Sequence, residues 1–430
     1  MSNDDLNQTG AHECADCRRA AAAAAQPISV SRRGVLAGGA GLALAALGMP
    51  GLSLAALPTD HRLIFVLLRG GMDGLAAVPA YADPAYKAAR GQLAIDDPNG
   101  EQGALDLNGF FGLHPSLKNL HGMYRDGDLA VFHAVATPYR ERSHFDAQKL
   151  LEVGGNQLGQ VRDGWMNRML GLYGAAGGNL GIAFNQTIPL ILSGEVPVAS
   201  WAPGGGEAPP EFLERLSHVY ASDPLFSRLL NQAVAADALA DQAGAEMAGR
   251  GMTGRGPRQV LQRTLATAVE MLKAENGHRM AVVEVGGWDT HANQGAAAGG
   301  LANQLGQLDE GLGTLNRELQ PIWNKTAIVV MTEFGRTVAI NGTRGTDHGT
   351  GGVAFLAGGA VNGGHVLTNW PGLDQSQLYE GRDLMPTLDS RSILKSVMTQ
   401  HLGLPAGDID RFVLPNSGAA TQIRQLFATA

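Results

Sequence analysis

Three short segments in the last third of the chain carry side chains of the types that bind divalent metals. The first two follow hydrophobic runs that predict buried strands, and the third precedes such a run. Asp, Glu and His brought together from separate strands are preferred ligands of zinc and similar ions. The segments are Gly287-Trp288-Asp289-Thr290-His291, Thr332-Glu333-Phe334-Gly335-Arg336 and Thr346-Asp347-His348-Gly349. They predict a metal centre whose candidate ligands are Asp289, His291, Glu333, Asp347 and His348.

Each segment also has a purely structural interpretation. Asp289 and His291 are two residues apart, so their side chains can point to the same side of an extended loop. The same Asp-x-His spacing is also typical of a turn with a local hydrogen bond. Glu333 can equally pair with Arg336, three residues further on. A metal site is favoured over these structural interpretations because all three segments adjoin the ends of predicted strands.

A fourth segment, residues 140–146, supplies the candidate catalytic groups. Ser143 lies where a loop meets a predicted helix, so backbone N–H groups and the helix dipole would stabilise an anion beside it. Ser143 is therefore the candidate nucleophile, and Arg140 and Arg142 are candidates for binding phosphate or sulfate. His144 is a candidate ligand or base. The structural alternative is a capping box, because Asp146 is three residues after Ser143.

One more candidate follows the first predicted strand, Arg62–Leu68. This strand ends in the glycine-containing turn 69–74, which presents Asp73. Asp73 is either a metal ligand or an Asp that stabilises the turn before Gly74. His133 lies inside a strand pattern and is predicted to be a hydrogen-bonded core residue.

The elements around the first two segments form a predicted βαβ unit. Residues 280–285 and 326–331 read as buried strands, and between them leucines recur at steps of four and three along residues 301–319. The two strands should be parallel with a right-handed crossover, so their carboxyl ends open on one edge of the sheet. Glu333 is expected to follow the strand next to the one that precedes Asp289 and His291, so the three residues should share a crevice.

The complete pattern predicts an α/β fold with a doubly wound, mostly parallel central sheet and helices on both faces. Further helices are predicted at 114–125 and 390–401, and further strands at 129–135, 353–357 and 365–367. Residues from about 203 to 278 contain a Pro- and Gly-rich loop and then Ala-rich sequence, with one exposed helix at 235–247. They are predicted to form a helical insertion.

The amino-terminal residues 1–56 predict a twin-arginine signal peptide. Ser31-Arg32-Arg33 precedes an apolar run from 35 to 57 with small residues near its end. A membrane-spanning helix is the alternative, but the Gly content of the run and Pro50 disfavour it. The prediction gives an α/β domain at 57–430 in the periplasm or outside the cell, with the export machinery as a partner. Cys14 and Cys17, a Cys-x-x-Cys, would leave with the signal peptide.

Composition excludes one class of partner. The 430 residues are 44% hydrophobic and 17% charged, an ordinary globular balance. The net charge of −8 gives no electrostatic support for binding nucleic acid.

With these residues placed, the chain resembles an uncharacterised family of twin-arginine-exported bacterial proteins in the alkaline phosphatase and sulfatase superfamily. The resemblance spans residues 60–405 and is carried by segments 68–74, 142–146, 287–291, 332–337 and 347–349. It implies an alkaline phosphatase-like fold, usually two metal ions, commonly zinc, and a Ser, Thr or modified Cys that attacks a phosphoryl or sulfuryl group.

The resemblance also implies roles for individual residues. Asp73 would be the ligand after the first strand and Ser143 the nucleophile. Asp289 with His291 would stand for the superfamily's Asp-x-x-x-His, Glu333 for the Asp of its Asp-His pair, and His348 for its late His. The sequence departs from the pattern, because Asp289 and His291 are only two apart and Phe334 stands where the pair has His. These departures predict one metal ion, or two with unusual ligands, and no mature Cys is present to become formylglycine.

The resulting functional prediction is an exported hydrolase of phosphate or sulfate esters that uses Ser143 and one or two divalent ions, zinc foremost. Its substrate would be an anionic small molecule or a glycan ester. The alternative is a non-catalytic binding or envelope-assembly protein on the same fold. A transferase with the same metal chemistry is also open.

Overall fold

The computed structural model describes residues 60–174, 180–203, 210–223, 226–227, 230–231, 234, 257–275 and 277–428. The predicted signal peptide with its Cys-x-x-Cys and the predicted helix at 235–247 lie outside these residues. None of the helices in the described ranges combines the length and apolar character needed to cross a membrane.

A nine-stranded sheet lies at the centre, in the order β10-β4-β9-β8-β1-β7-β5-β6, with β11 also paired to β4. Only β9 runs antiparallel to its neighbours, and every other pairing in this sheet is parallel. A separate hairpin joins β2 to β3. The strands are β1 (Arg62–Leu68), β2 (Leu105–Asp106), β3 (Gly112–Leu113), β4 (Leu129–Ala136), β5 (Gly181–Phe184), β6 (Ala199–Ser200), β7 (Met280–Val285), β8 (Thr326–Thr332), β9 (Gly352–Ala357), β10 (His365–Leu367) and β11 (Leu388–Asp389).

Helices cover both faces of the sheet. On one face α3, α7 and α8 contribute Leu120, Leu265 and Leu305 to a core with Ile64 of β1. On the other face α5 and α9 pack around Phe65 of the same strand. The α-helices are α1 (Gly74–Ala77), α2 (Tyr86–Arg90), α3 (Lys118–Asp126), α4 (His144–Val153), α5 (Trp165–Gly171), α6 (Pro210–Tyr220), α7 (Pro257–Lys273), α8 (Gly300–Glu318), α9 (Ser390–Gln400) and α10 (Ala406–Asp408). Short 3₁₀ helices lie at Gly91–Leu93, Leu190–Leu192, Gln320–Lys325 and Gln375–Gln377, and a π-helix lies at Ile409–Val413.

This architecture confirms the predicted α/β class. The strand β1 is buried along its whole length, because successive side chains enter opposite cores. The leucine stripe of α8 is also buried as predicted. His133 is a core residue: its Nε2 lies 3.0 Å from the Val78 carbonyl oxygen, and burial lowers its pKa to about 4.

Two local predictions need correction. Strands β7 and β8 are parallel, but β1 lies between them, so Glu333 does not arrive from the strand adjacent to β7. Helix α3 begins at Lys118, whereas the pattern predicted a start at His114. The Asp309 carboxylate of α8 accepts hydrogen bonds from the backbone N–H groups of Asn119 and Leu120, at 3.0 and 2.9 Å, and so supplies the cap from another helix.

The reversed direction of β9 brings the third sequence segment to the site. Parallel strands place the loops after them at their carboxyl edge. Because β9 is antiparallel to β4 and β8, the loop before β9 lies at that same edge. His348 precedes β9 and Glu333 follows β8, so the two meet despite their opposite positions relative to a strand.

Candidate metal centre

Three histidines and one aspartate converge at the carboxyl edge of the sheet. The Nε2 atom of His348 lies 2.9 Å from Nε2 of His144 and 3.0 Å from Nε2 of His291. The Asp289 carboxylate is 3.0 Å from His291, 3.2 Å from His348 and 3.4 Å from His144, each measured to Nε2. Ligands of a tetrahedral zinc ion, each 2.0–2.1 Å from the metal, lie about 3.3 Å from each other. Five of the six separations among these four groups are 2.9–3.4 Å, and the ligand atoms of His144, Asp289 and His348 all lie within 4.8 Å of one another. These separations suit a single cation held by at least those three side chains.

The outer nitrogen of each imidazole is fixed by an acceptor. His144 Nδ1 is 2.7 Å from Glu333 Oε1, and His291 Nδ1 is 3.1 Å from Asp347 Oδ1. His348 Nδ1 is 3.0 Å from the backbone oxygen of Arg142. A carbonyl or carboxylate oxygen only accepts, so each Nδ1 carries the proton and each neutral ring presents its Nε2 lone pair inward. Histidine ligands of metals are oriented in this way.

Glu333 and Asp347, predicted as ligands, each contact the outer nitrogen of a histidine of the cluster. The buried Glu333 Oε1 accepts from Gly70 N at 2.8 Å and from Gln148 Nε2 at 2.9 Å, in addition to His144. Burial acts to raise the Glu333 pKa, but these hydrogen bonds outweigh it and the pKa is lowered. Asp347 is bound by Asn341 Nδ2 at 3.0 Å, which lowers the pKa of its carboxyl. Both carboxylates therefore stay ionised and outside the four converging groups.

Charges around the cluster keep Asp289 anionic. Partial burial acts to raise the Asp289 pKa, but the guanidinium of Arg336 hydrogen-bonds Oδ1 and the pKa is lowered. The Arg336 side chain is fully buried and also binds the Thr346 hydroxyl at 3.1 Å. The Glu333 hydrogen bond raises the pKa of His144, whereas burial and the charge of His144 lower that of His348.

Phe334 and two glycines shape the wall of the cluster. The Phe334 ring packs against the rings of His144 and His348, with centroids 4.7 and 5.1 Å apart. A Cβ at Gly71 would lie 2.6 Å from the Phe334 ring, and one at Gly70 would lie 2.6 Å from the backbone nitrogen of Asp289. Both glycines also have positive φ, at 125° for Gly70 and 68° for Gly71. The turn after β1 can approach the site only without side chains.

One side of the cluster faces solvent. Asp289 and His291 side chains are 41% and 43% exposed, whereas His144 and His348 are 23% and 27% exposed. Four protein ligands would fill a tetrahedral shell, so a substrate oxygen would reach a metal here as a fifth ligand, from this exposed side.

Asp73 lies outside the cluster, in a buried ion pair. Its Oδ2 is 2.5 Å from Arg90 Nη2 and 2.7 Å from Gln294 Nε2. Its Oδ1 accepts the Ala76 N–H at 3.2 Å and caps α1. The turn-stabilising alternative therefore describes its contacts, and the predicted ligand role receives no support from the geometry.

Replacing Asp73 with Asn is expected to lower the free energy of unfolding by about 3 kcal/mol, because Arg90 stays buried without a counter-charge. Zinc affinity should be unchanged, because Asp73 touches none of the four converging groups. Urea unfolding and a zinc titration test both statements. Asp96→Asn is the matched control, since its ion pair with Lys87 is exposed and should contribute under about 1 kcal/mol. A large loss of zinc affinity in Asp73→Asn would restore its ligand role.

The candidate catalytic residues are only partly brought to the cluster. Ser143 is the N-cap residue of α4, yet its side chain makes no capping hydrogen bond. It contacts the Tyr139 hydroxyl instead, and burial raises the pKa of Tyr139 despite this contact. The capping-box interpretation is therefore wrong. Ala147 N bonds to Ser143 O, and the N–H groups of residues 144–146 form no hydrogen bond within the described part of the chain.

Arg140 and Arg142 are occupied by other partners. The Arg142 guanidinium lies 2.7 Å from Asp383 and 2.5 Å from Glu380. Arg140 Nη1 donates to the backbone oxygens of Thr137 and Tyr139. Nη1 of Arg140 and the Nε and Nη2 atoms of Arg142 hold the loop in this way, and the role of both residues in gripping an anion stays a prediction.

Three residues of the site were missed or misassigned from the sequence. Gln148 supports Glu333, Asn341 supports Asp347, and Arg336 binds Asp289 rather than Glu333. Of these three, only Gln148 could have been recognised from the sequence as part of the site, because it is four residues after His144 and so lies on the same face of α4.

Comparison with known proteins gives a family but no function. A family model described as "Protein of unknown function (DUF1501)" matches residues 60–413. No curated protein is significantly similar in sequence. Similar solved structures include the C-terminal periplasmic domain of EcEptC from Escherichia coli, with 14% identity, 84% of this chain and 89% of that chain covered, and a TM-score of 0.39.

Two further similar solved structures have lower sequence identity to this chain. For the phosphonate monoester hydrolase of Agrobacterium radiobacter, identity is 10%, coverage is 79% of this chain and 74% of that chain, and the TM-score is 0.40. For murine ectonucleotide pyrophosphatase/phosphodiesterase 5, identity is 11%, coverage is 64% of this chain and 57% of that chain, and the TM-score is 0.29.

Proposed function

The chain belongs to the DUF1501 family of proteins of unknown function, and we propose that it is a metal-dependent hydrolase of phosphate or sulfate esters. The observation that carries the proposal is the inward convergence of three imidazole lone pairs and one carboxylate. Such a set is repulsive by itself and is stabilised by a cation at its centre.

Zinc is the proposed ion. Three nitrogen ligands and one carboxylate oxygen at tetrahedral separations suit zinc better than magnesium or calcium, which prefer oxygen ligands in larger numbers. His144, Asp289, His291 and His348 would hold it. Bound zinc would polarise an ester oxygen as a Lewis acid. One ion accounts for the four groups, with Glu333 and Asp347 orienting two of the histidines.

Residues at the start of α4 would bind and attack the ester. The N–H groups of residues 144–146, which have no partner among the described residues, lie at the start of the helix, where the helix dipole favours an anion. They replace Arg140 and Arg142 as the proposed site for phosphate or sulfate oxygens. The Ser143 hydroxyl, which is not used for capping, is the proposed nucleophile. Ser143 Oγ would form a bond to phosphorus or sulfur as the bond from that atom to the alcohol oxygen breaks, and the hydroxyl proton would pass to the departing alcohol. Water would then cleave the Ser143 ester, which releases phosphate or sulfate and restores the hydroxyl.

We also propose that the protein acts outside the cytoplasm. Ser31-Arg32-Arg33 and the apolar residues after it support export by the twin-arginine pathway as a signal peptide of 56 residues, followed by the α/β domain. The substrate would then be an anionic small molecule or a glycan ester of the cell envelope.

Wild-type protein is expected to bind one zinc ion per chain and to hydrolyse at least one ester in a panel of aryl phosphates, aryl phosphodiesters, aryl sulfates and sulfated or phosphorylated sugars. Turnover should disappear after treatment with a chelator and return when zinc is added. Mass spectrometry gives the metal content, and product release gives the rate. Stoichiometric zinc without turnover of any ester would overturn the hydrolase proposal in favour of a binding protein. Turnover that survives complete metal removal would overturn the metal role.

A further inference from the structure

A second cavity opens beside the candidate metal centre, at the same edge of the sheet. It has a volume of about 610 Å³ and lies between helices α7 and α8 and the carboxyl ends of β5 and β7. Pockets of this size at the carboxyl ends of strands are usual for small ligands in α/β proteins. None of the four converging groups of the metal centre lines it.

The polar lining is almost entirely uncharged. It consists of amide and hydroxyl side chains together with one carboxylate, Glu284. Glu284 is already paired, because Arg69, which it shares with Glu152, donates through Nε to its Oε1 at 2.7 Å, and Asn185 donates to its Oε2. The described lining residues include no Lys or Arg. The cavity therefore suits neither a phosphate nor a sulfate group. The amide and hydroxyl side chains are those of Asn185, Gln186, Thr264, Gln304 and Gln307.

Apolar side chains form the rest of the wall. Val260, Leu261, Val283, Val285 and Phe184 line it, and the Phe184 ring packs edge-on against Trp201 at 6.2 Å. Asn185, Thr264 and Gln304 Nε2 already make hydrogen bonds within the chain, but a lipid would offer none to the other amide groups of the wall. A neutral sugar satisfies both kinds of surface, because its hydroxyl groups donate and accept while its C–H face packs on apolar side chains.

The cavity is joined to the metal centre in two ways. Gly286 and Gly287 form part of its wall, and Asp289 follows two residues later. A hydrogen-bond chain also runs from Glu284 through Arg69 and Gln148 to Glu333, which holds His144. The cavity and the metal centre therefore share the loop that follows β7.

We propose that this cavity binds a neutral sugar residue of the substrate, adjacent to the esterified residue at the metal centre. The inference rests on the proposed hydrolase function and narrows its substrate to a glycan ester. It predicts that neutral saccharides bind even without an ester group.

The test compares wild type with Val260→Trp and Arg263→Trp. Val260 is 41% exposed and lines the cavity, so Trp can fill the cavity without displacing a buried side chain. Arg263 is an exposed residue of the same helix outside the cavity lining, and its replacement is the matched control. The probes are glucose, galactose, N-acetylglucosamine and their β-linked disaccharides, detected by saturation-transfer NMR and titrated for Kd.

At least one saccharide is expected to bind to wild type and Arg263→Trp and to bind at least tenfold more weakly to Val260→Trp. Binding should persist in zinc-free protein. Failure of every saccharide to bind, or equal binding to Val260→Trp, would overturn the cavity assignment.

Ester assays separate this outcome from failure of the proposed function. Val260→Trp should lower kcat/KM for sulfated or phosphorylated disaccharides while leaving p-nitrophenyl phosphate and sulfate unchanged. Saccharide binding without any ester turnover would support the cavity and refute the hydrolase. If disaccharide esters are hydrolysed and Val260→Trp has the same kcat/KM for them as wild type, the hydrolase proposal is supported and the assignment of the cavity to a sugar is refuted.

Discussion

Replacing His348 with Ala is expected to weaken zinc binding by at least about 1,000-fold. Loss of a residue that merely orients a ligand typically costs 10–100-fold, and His348 is itself one of the four converging groups. Its Nε2 lies within 3.2 Å of His144, His291 and Asp289, so it occupies the middle of the cluster. Its removal leaves three groups and an opening to water.

Zinc affinity of the variant is measured by competition with a chromophoric chelator. His218→Ala is the control, because His218 is an exposed residue of α6. Far-UV circular dichroism of the metal-free proteins should be identical, since His348 is on a loop. Equal zinc affinity in His348→Ala and wild type would show that these four groups are not the ligand set.

Replacing Ser143 with Ala is expected to lower kcat for the best ester by about 10⁴-fold or more, the scale seen when a nucleophile is removed. Zinc content should remain one ion per chain, because the Ser143 side chain is not among the four groups proposed to hold the ion. The variant should also fold normally. Loss of an N-cap side chain usually costs about 1 kcal/mol, but Ser143 makes no capping bond, so its replacement should cost about 0.5 kcal/mol or less.

The measurements are kcat, metal content and the free energy of unfolding of the same preparation. If the free energy of unfolding falls by about 1 kcal/mol, as for loss of a full N-cap, while kcat is unchanged, then Ser143 has only a structural role. Unchanged kcat together with unchanged stability would leave a metal-activated water as the nucleophile and would refute the covalent step.

The elements of the sheet were predictable because each has a strong local signal. The strands β1 and β8 have long apolar runs, β7 begins with four apolar residues, and α8 carries a complete leucine stripe. The insertion of β1 between β7 and β8 was not predictable from these patterns. Strand order depends on which buried faces match, and β1 fits either neighbour equally well by its composition. The start of α3 was also hidden, since its cap comes from Asp309, 190 residues away.

The location of the site followed from the sequence, but the roles of its residues did not. Asp289, His291 and His348 were found as metal-binding types at strand ends, and they meet as expected. Glu333 and Asp73 are both carboxylates but have different neighbours. Glu333 contacts His144 and Gln148, whereas Asp73 is paired with Arg90. Whether a carboxylate faces a cation or another side chain depends on contacts between distant segments, which residue type and spacing do not encode.

The wide separation of the four converging residues along the chain has a consequence for the order of events during maturation. His144 and His348 are 204 positions apart and meet only when β4, β8 and β9 are paired. Closing so long a loop has a large entropic cost, which the sheet and its two cores must offset before any ion can be held. Zinc would therefore act as a late ligand that stabilises the finished structure by mass action and does not guide its formation. A cell that exports this protein already folded would have to load the ion after folding, either before translocation or from the ions available outside.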